Sequence, residues 1–305
     1  MSIWPKLRPL PRLNRPAELA LAIEATLGEG AIWDAAAQRL LWVDITERRL
    51  MRFDPVSLTN EVFQLNSRIG TVVNTARGDL LIALQEGVAR FDPRTGLVSD
   101  LRCPVGHDAT RIRFNDGKCD PRGRFWAGTM ALDFTPQAGA LYCFEADGTI
   151  HQRASQVSIS NGLVWSPDLR FMYYIDSGSL NIDLFEYSVE TGTIKGRRPT
   201  VRLPKGLGTP DGMTLDAEGM IWVAFWGGSS ALRIDPQTAF IIERINVPAP
   251  HVTSCAFGGP GLKSLYITTA REGLSPEQLA AFPLSGSLFV AHLEVGGVPA
   301  FVYAG

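Results

Sequence analysis

A chain of 305 residues with 45% apolar and 20% charged side chains is long enough to bury a large core and too ordinary in composition to be disordered or fibrous. A net charge of −2 excludes a broad electrostatic surface for nucleic acid or anionic lipid, and no run approaches the roughly 18 apolar residues of a membrane span. Thirty Gly and twenty Pro predict many turns and short strands rather than long helices.

In chain order, residues 1–19 read as an N-terminal extension. They are rich in Pro and basic residues (Lys6, Arg8, Arg12, Arg15) and lack the apolar centre of a secretory signal. From residue 20 onward a unit recurs: a turn containing Asp, Gly or Pro, then a short strand opening on a bulky residue. Asp34 to Trp42, Asn74 to Leu80, Asp120 to Trp126, Ser166 to Tyr173, Asp216 to Trp222 and Gly258 to Tyr266 are its copies. The opening residues Trp42, Leu80, Trp126, Tyr173, Trp222 and Tyr266 stand 38, 46, 47, 49 and 44 positions apart. Behind each comes a strand ending in a second turn, as at Phe53-Asp-Pro, Phe91-Asp-Pro, Phe144-Glu-Ala-Asp-Gly, Tyr187-Ser-Val-Glu-Thr-Gly and Ile234-Asp-Pro, with Phe289 opening a weaker sixth copy. Between these turns the residues alternate or run apolar, which is strand-like. One helix is expected, Ser275 to Phe282, with Ser275 as N-cap, Pro276 at the first helical position and Glu277 in the first turn.

Six similarly spaced units, each with room for about four short strands, predict an all-β, six-bladed β-propeller with a central channel, forming one domain over residues 20–305. A pair of β-sandwiches does not account for the spacing. A closed ring must hide its sheet edges, so a strand near residues 20–26 is expected to pair with the last blade at 286–303.

The loops feeding the innermost strands of a propeller converge on one point. Leu27-Gly-Glu29-Gly, Arg113-Phe-Asn115-Asp116-Gly, Ser160-Asn161-Gly and Pro210-Asp211-Gly occupy those places in four units. Taken singly, Asn-Gly and Asp-Gly are ordinary turn dipeptides. Taken in register, Glu29, Asn115, Asn161 and Asp211 form an oxygen-donor set suited to one divalent cation: Ca²⁺, Mg²⁺, Mn²⁺, Fe²⁺ or Zn²⁺. Two buried acids without a cation repel, and one takes up a proton. The histidines His107, His151, His251 and His292 show no metal-ligand spacing, although His107 and His251 fall near the expected channel mouth. Cys103, Cys119, Cys143 and Cys255 form no C-x-x-C pair and read as reduced thiols of a cytoplasmic protein. No G-x-S-x-G elbow is present, and Gly258-Gly-Pro-Gly261 reads as a turn. The seven Trp read mostly as core, with Trp226 either core or a pocket wall.

The motifs Leu-Gly-Glu29-Gly, Arg113-Phe-Asn-Asp-Gly-Lys, Trp126-Ala-Gly-Thr-Met, Ser-Asn161-Gly-Leu and Pro-Asp211-Gly-Met resemble the SMP-30/gluconolactonase/regucalcin family of sugar lactonases, from about residue 20 to 300. Thr268 to Ser275 is similar to a stretch in bacterial aldonolactonases of pentose and hexose catabolism. The resemblance implies a hydrolase acting on a small-molecule sugar lactone of the xylono-, arabinono-, glucono- or galactonolactone class. It implies one channel metal held by Glu29, Asn161 and Asp211, substrate contacts from Arg113 and Asn115, and Asp211 as presumed base. Asp133 stands in the substrate-binding place where regucalcin-like members have Glu, so the sugar does not carry over. Asp116 reads as a turn or supporting residue. A calcium-binding regulatory propeller and a phosphotriesterase- or esterase-type propeller hydrolase are the rival readings, since a fold does not fix a function. Neither nucleic acid nor membrane is an expected partner, and the oligomeric state is not legible.

Overall fold

A computed structural model describes residues 13–305 of the chain. It is all-β and propeller-like, with one short helix and two 3₁₀ turns. The chain opens with β1 (Leu13–Pro16) and β2 (Glu18–Leu21). Four antiparallel sheets of four strands follow in sequence. They are β3 (Gly28–Asp34), β4 (Arg39–Asp44), β5 (Arg49–Asp54) and β6 (Thr59–Gln64); β7 (Ile69–Asn74), β8 (Leu80–Leu84), β9 (Val88–Asp92) and β10 (Leu97–Arg102); β11 (Ile112–Cys119), β12 (Phe125–Ala131), β13 (Gly139–Phe144) and β14 (Ile150–Val157); and β15 (Ser160–Trp165), β16 (Phe171–Asp176), β17 (Asn181–Ser188) and β18 (Thr193–Arg202). A nine-stranded sheet completes the fold. It takes β19 (Thr209–Leu215), β20 (Ile221–Trp226), β21 (Ser230–Ile234), β22 (Ile241–Asn246), β23 (His251–Gly258), β24 (Ser264–Ala270) and β25 (Leu288–His292), together with β1 and β2. Within it, β20 joins β23 through one residue pair, Trp226 and His251.

The residues opening each repeat fall on β4, β8, β12, β16, β20 and β24, the second strand of each unit. The first strands pack in a ring, β3 on β7, β7 on β11, β11 on β15, β15 on β19, β19 on β23 and β23 back on β3. Burial explains the sequence pattern. β12, β15 and β24 are buried at every position, while β10, the outer strand of its sheet, is exposed throughout. Inner strands therefore read as apolar runs and outer strands as polar ones.

Every ring strand breaks register with its neighbour at the same level. The irregularity lies between Glu29 and Ile32, Ile69 and Thr71, Phe114 and Gly117, Ser160 and Leu163, Pro210 and Met213, and Val252 and Ser254. Such bulges turn a side chain off the regular alternation of the strand.

The edge closes through β2, which pairs antiparallel with β25, while β1 runs parallel to β22. The expected pairing over 20–26 thus falls earlier, at Glu18–Leu21. The amides of Thr26 and Leu27 are unavailable to a ladder, because both donate to the Asp44 carboxylate at 2.9 and 3.0 Å. Of the predicted extension, residues 1–12 lie outside the described residues. Arg15 pairs with Glu243 at 2.6 Å.

The helix α1 (Pro276–Ala281) carries the expected capping. The Ser275 hydroxyl accepts from the Gln278 amide at 3.3 Å, with Pro276 and Glu277 in the first turn. All four cysteines are free thiols. No helix among the described residues is long and apolar enough to cross a membrane.

Candidate functional site

Glu29, Asn115, Asp116, Asn161 and Asp211 all sit at the ring-strand bulges, on β3, β11, β15 and β19, and all are buried. The expectation that feeding loops supply them is corrected: they lie within the strands, and the bulge redirects each one. The Gly after the polar residue has a packing reason. A Cβ on Gly162 would lie 2.6 Å from the Met213 amide nitrogen and 2.8 Å from the Asp211 carbonyl oxygen. A Cβ on Gly212 would lie 2.9 Å from Ser254 Cα. Only glycine lets one ring strand approach the next closely at this level.

Glu29 accepts from the Gly30 amide at 2.9 Å. Burial, reinforced by Asp116, pushes its carboxyl up to about 8. Burial, then the charges of Glu29 and Asp116, raises Asp211 well above the usual carboxylate range, and the Glu29 and Asp211 carboxyls lie close enough to share a proton. Burial raises Asp116 too, opposed by Lys118, and Asp116 accepts from the Gly117 amide at 2.7 Å. Asp116 therefore belongs to the buried acidic group rather than to an exposed turn. Three acids so close hold protons among them or require a cation to balance them.

Asn161 is oriented by a residue the sequence did not single out. Its Nδ2 donates to Ser177 Oγ at 2.9 Å, and Ser177 Oγ donates to the Pro210 carbonyl at 2.7 Å. This leaves Asn161 Oδ1 buried without a hydrogen-bond partner, and Asp211 Oδ1 is likewise orphaned. Buried oxygens are almost always satisfied, so two orphaned acceptors beside a second carboxylate fit a cation ligated by Glu29, Asn161 and Asp211. No three His, Cys, Asp or Glu side chains are arranged to hold an ion among the described residues; the set here is two carboxylates and a carboxamide.

Arg113 is buried beside these acids. Its Nη1 donates to Asn115 Oδ1 at 2.5 Å and to the Phe114 carbonyl at 3.1 Å, and Asn115 Nδ2 donates to the Ser160 carbonyl at 2.7 Å. Burial lowers the guanidinium to about 10, against Glu272, Glu29 and Asp211, which favour its charge. Asn115 is thus engaged at both ends of its amide and is set apart from the orphaned oxygens, although the residue pattern alone grouped it with Glu29, Asn161 and Asp211. Lys118 is half-buried, its amine donating to the Met213 carbonyl.

Asp133 follows the end of β12 that pairs with Ile112 and Arg113. It sits in an exposed turn after β12, where hydrogen bonds from Thr135 hold its carboxyl below the usual value. Four residues further along the ring strands, about 13 Å away at strand spacing, lies a separate cavity of about 910 Å³. Trp33, Lys118, Trp165, Leu215 and Phe257 line it, and the C-terminal segment at Phe301 closes over it. Ser177 and Lys118 escaped the sequence pattern as functional candidates. Lys118 ends the Arg113-Phe-Asn-Asp-Gly-Lys motif, whereas nothing in the sequence around Ser177 marks its role.

The sequence profile of the SMP-30/Gluconolactonase/LRE-like region matches residues 27–271. YvrE of Bacillus subtilis (strain 168), provisionally named a sugar lactone lactonase, is 38% identical over 290 residues, 95% of this chain and 99% of that protein. Regucalcin of Gallus gallus is 38% identical over 285 residues, 92% of this chain and 95% of that protein. Among solved structures, that of the calcium-binding protein regucalcin from Agrobacterium tumefaciens str. C58 superposes with a TM-score of 0.90 at 29% identity, over 95% of this chain and 98% of that one.

Proposed function

The chain belongs to the SMP-30/gluconolactonase/LRE-like family, and from that premise we propose that it is a metal-dependent sugar lactonase, a hydrolase that opens an aldonolactone to the aldonic acid. The observation that carries this reading is the pair of orphaned oxygens, Asn161 Oδ1 and Asp211 Oδ1, buried beside Glu29 and facing the Arg113–Asn115 pair. The ring of strands β3, β7, β11, β15, β19 and β23 supports a six-bladed propeller, with the nine-stranded sheet read as two blades joined at Trp226 and His251. The substrate class is a xylono-, arabinono-, glucono- or galactonolactone, and the proposed place of action is the cytoplasm.

Glu29, Asn161 and Asp211 hold the cation, which when bound supplies Lewis acidity toward the lactone carbonyl. Ser177 fixes the Asn161 amide so that its oxygen, and not its NH₂, faces the site. Asp211 takes the proton from the attacking water, as the carboxylate placed beside the proposed cation. Arg113 donates to the ring hydroxyls or to the forming carboxylate, and Asn115 anchors that guanidinium. Asp133, exposed in the turn at the Arg113 end of β12, is the further proposed sugar contact.

The test is to strip metal and assay an aldonolactone panel against a phosphotriester, with Ca²⁺, Mg²⁺, Mn²⁺, Fe²⁺ and Zn²⁺ added back singly. Turnover of lactones restored by a cation supports the proposal. Cation binding without turnover selects the regulatory reading, and preferred phosphotriester cleavage selects the esterase reading.

A further inference from the structure

Trp226 and His251 stack face to face, with ring centroids 3.9 Å apart and planes within 9°. They stand at the ends of β20 and β23 nearest the bulges. Trp226 pairs with Thr209, two residues before Asp211. His251 pairs with Ala270, which also bridges to Leu27, two residues before Glu29. The stack therefore lies one step, about 7 Å at strand spacing, toward the channel mouth from both acids. The indole packs against the apolar cluster containing Leu27 and Ala270 and stays half-buried, followed by the exposed Gly227. In the ring order, β23 stands opposite β11, the strand that carries Arg113 and Asn115.

His251 Nδ1 is buried without a partner, and burial lowers the imidazole's proton affinity. The stacked pair is thus an amphipathic surface on the side of the ring opposite β11, which carries the hydrogen-bonded Arg113–Asn115 pair. An uncharged ring with a C–H face and a hydroxyl rim matches both sides at once.

We propose that the Trp226–His251 stack is a platform for the C–H face of the substrate ring, setting specificity for cyclic polyhydroxylated esters opposite the Arg113–Asn115 pair. This rests on the lactonase reading and names a part of the site which that reading leaves open. The rival role is purely structural, since Trp226 and His251 are also the single residue pair that links β20 to β23.

The experiment compares wild type, Trp226→Phe, Trp226→Leu and His251→Ala, with saturating cation, on the aldonolactone that wild type turns over best. Calorimetric binding of xylitol, which has no bond to hydrolyse, is measured alongside. Trp226→Leu is expected to raise KM about tenfold with kcat within about twofold, and to weaken xylitol binding in parallel, while Trp226→Phe recovers most of the loss. His251→Ala is expected to raise KM about threefold. An unchanged KM in Trp226→Leu, equal effects of Leu and Phe, or a fall in kcat alone overturns the platform. Should Trp226→Leu fail to fold, an unchanged KM in His251→Ala overturns it. If wild type hydrolyses no lactone yet binds xylitol more tightly than Trp226→Leu does, the lactonase reading falls and the platform stands. If wild type hydrolyses lactones and Trp226→Leu keeps the wild-type KM and xylitol affinity, the platform falls and the lactonase reading stands.

Discussion

The carboxyls of Glu29 on β3 and Asp211 on β19 lie close enough in the buried ring of strands to share a proton. A carboxyl pair of this kind needs a proton, and both groups are shifted upward, Glu29 by burial and Asp116, Asp211 by burial and the charges of Glu29 and Asp116. The folded protein then binds protons more tightly here than the unfolded chain does. In the metal-free protein this contribution to stability is fully present below the ordinary glutamate value of 4.5 and is lost as pH rises through about 8. Melting temperatures of metal-free protein from about pH 5 to 9 check this. The stability slope should fall by an amount worth on the order of a few kcal/mol in wild type and flatten in Glu29→Gln. A divalent cation replaces the proton, so its affinity should rise over the same range. A slope that survives in Glu29→Gln rules the pair out as its source.

Asp211 combines an orphaned oxygen with the strongest case for accepting a proton. Asp211→Ala removes a ligand and the proposed base together, and lactone turnover should fall by at least about 10²-fold even at saturating cation. Asp211→Asn keeps a ligating oxygen and loses the base. Calorimetry should therefore show cation binding retained better in Asn than in Ala, with turnover low in both. Near-normal activity in Asp211→Ala removes it from the mechanism.

Ser177 touches neither acid, yet it decides which end of the Asn161 amide faces them. Ser177→Ala leaves Asn161 free to rotate and should weaken cation affinity about tenfold, within the range known for residues that orient ligands. The melting temperature of the metal-free protein should change little. Titration with Ca²⁺ or Mn²⁺ decides, and wild-type affinity in Ser177→Ala would sink the orienting role.

The spacing of Trp42, Leu80, Trp126, Tyr173, Trp222 and Tyr266 made the repeats legible, because a buried second strand requires bulky residues at each turn of the pattern. Glu29, Asn161 and Asp211 were legible because each is followed by a required Gly, through the positive φ of Gly30 and through strand packing at Gly162 and Gly212. The bulges were not legible, since a register shift leaves no residue signature once Gly is already present. Asp133 is exposed in the turn after β12, a burial state that its motif position does not reveal. Ser177 and the Trp226–His251 stack depend on contacts between residues 16 and 25 positions apart, beyond the reach of local pattern.

Two of the repeat turns contain a buried acid that the sequence showed only as turn residues. Asp216 Oδ2 accepts from Trp222 Nε1 at 3.0 Å and from Arg233 Nε at 2.7 Å, while its Oδ1 accepts from the Glu218 and Met220 amides at 2.9 and 3.0 Å. Asp120 repeats the scheme with Trp126 at 3.0 Å, Arg124 at 3.0 Å and Tyr187 at 2.8 Å. Both carboxylates are fully buried. Each Asp therefore ties its turn to the Trp of the strand it introduces and neutralises one guanidinium. Asp216→Ala leaves the Arg233 Nε and the Trp222 N–H without acceptors, with Arg233 Nη2 still on Glu218, and should destabilise the fold by about 3 kcal/mol. Asp216→Asn keeps the shape and part of the hydrogen bonding, so its loss should be smaller. Urea denaturation of both variants measures the difference. A loss of less than about 1 kcal/mol in Asp216→Ala would show that solvent and the existing Glu218 pair at 2.7 Å suffice for Arg233.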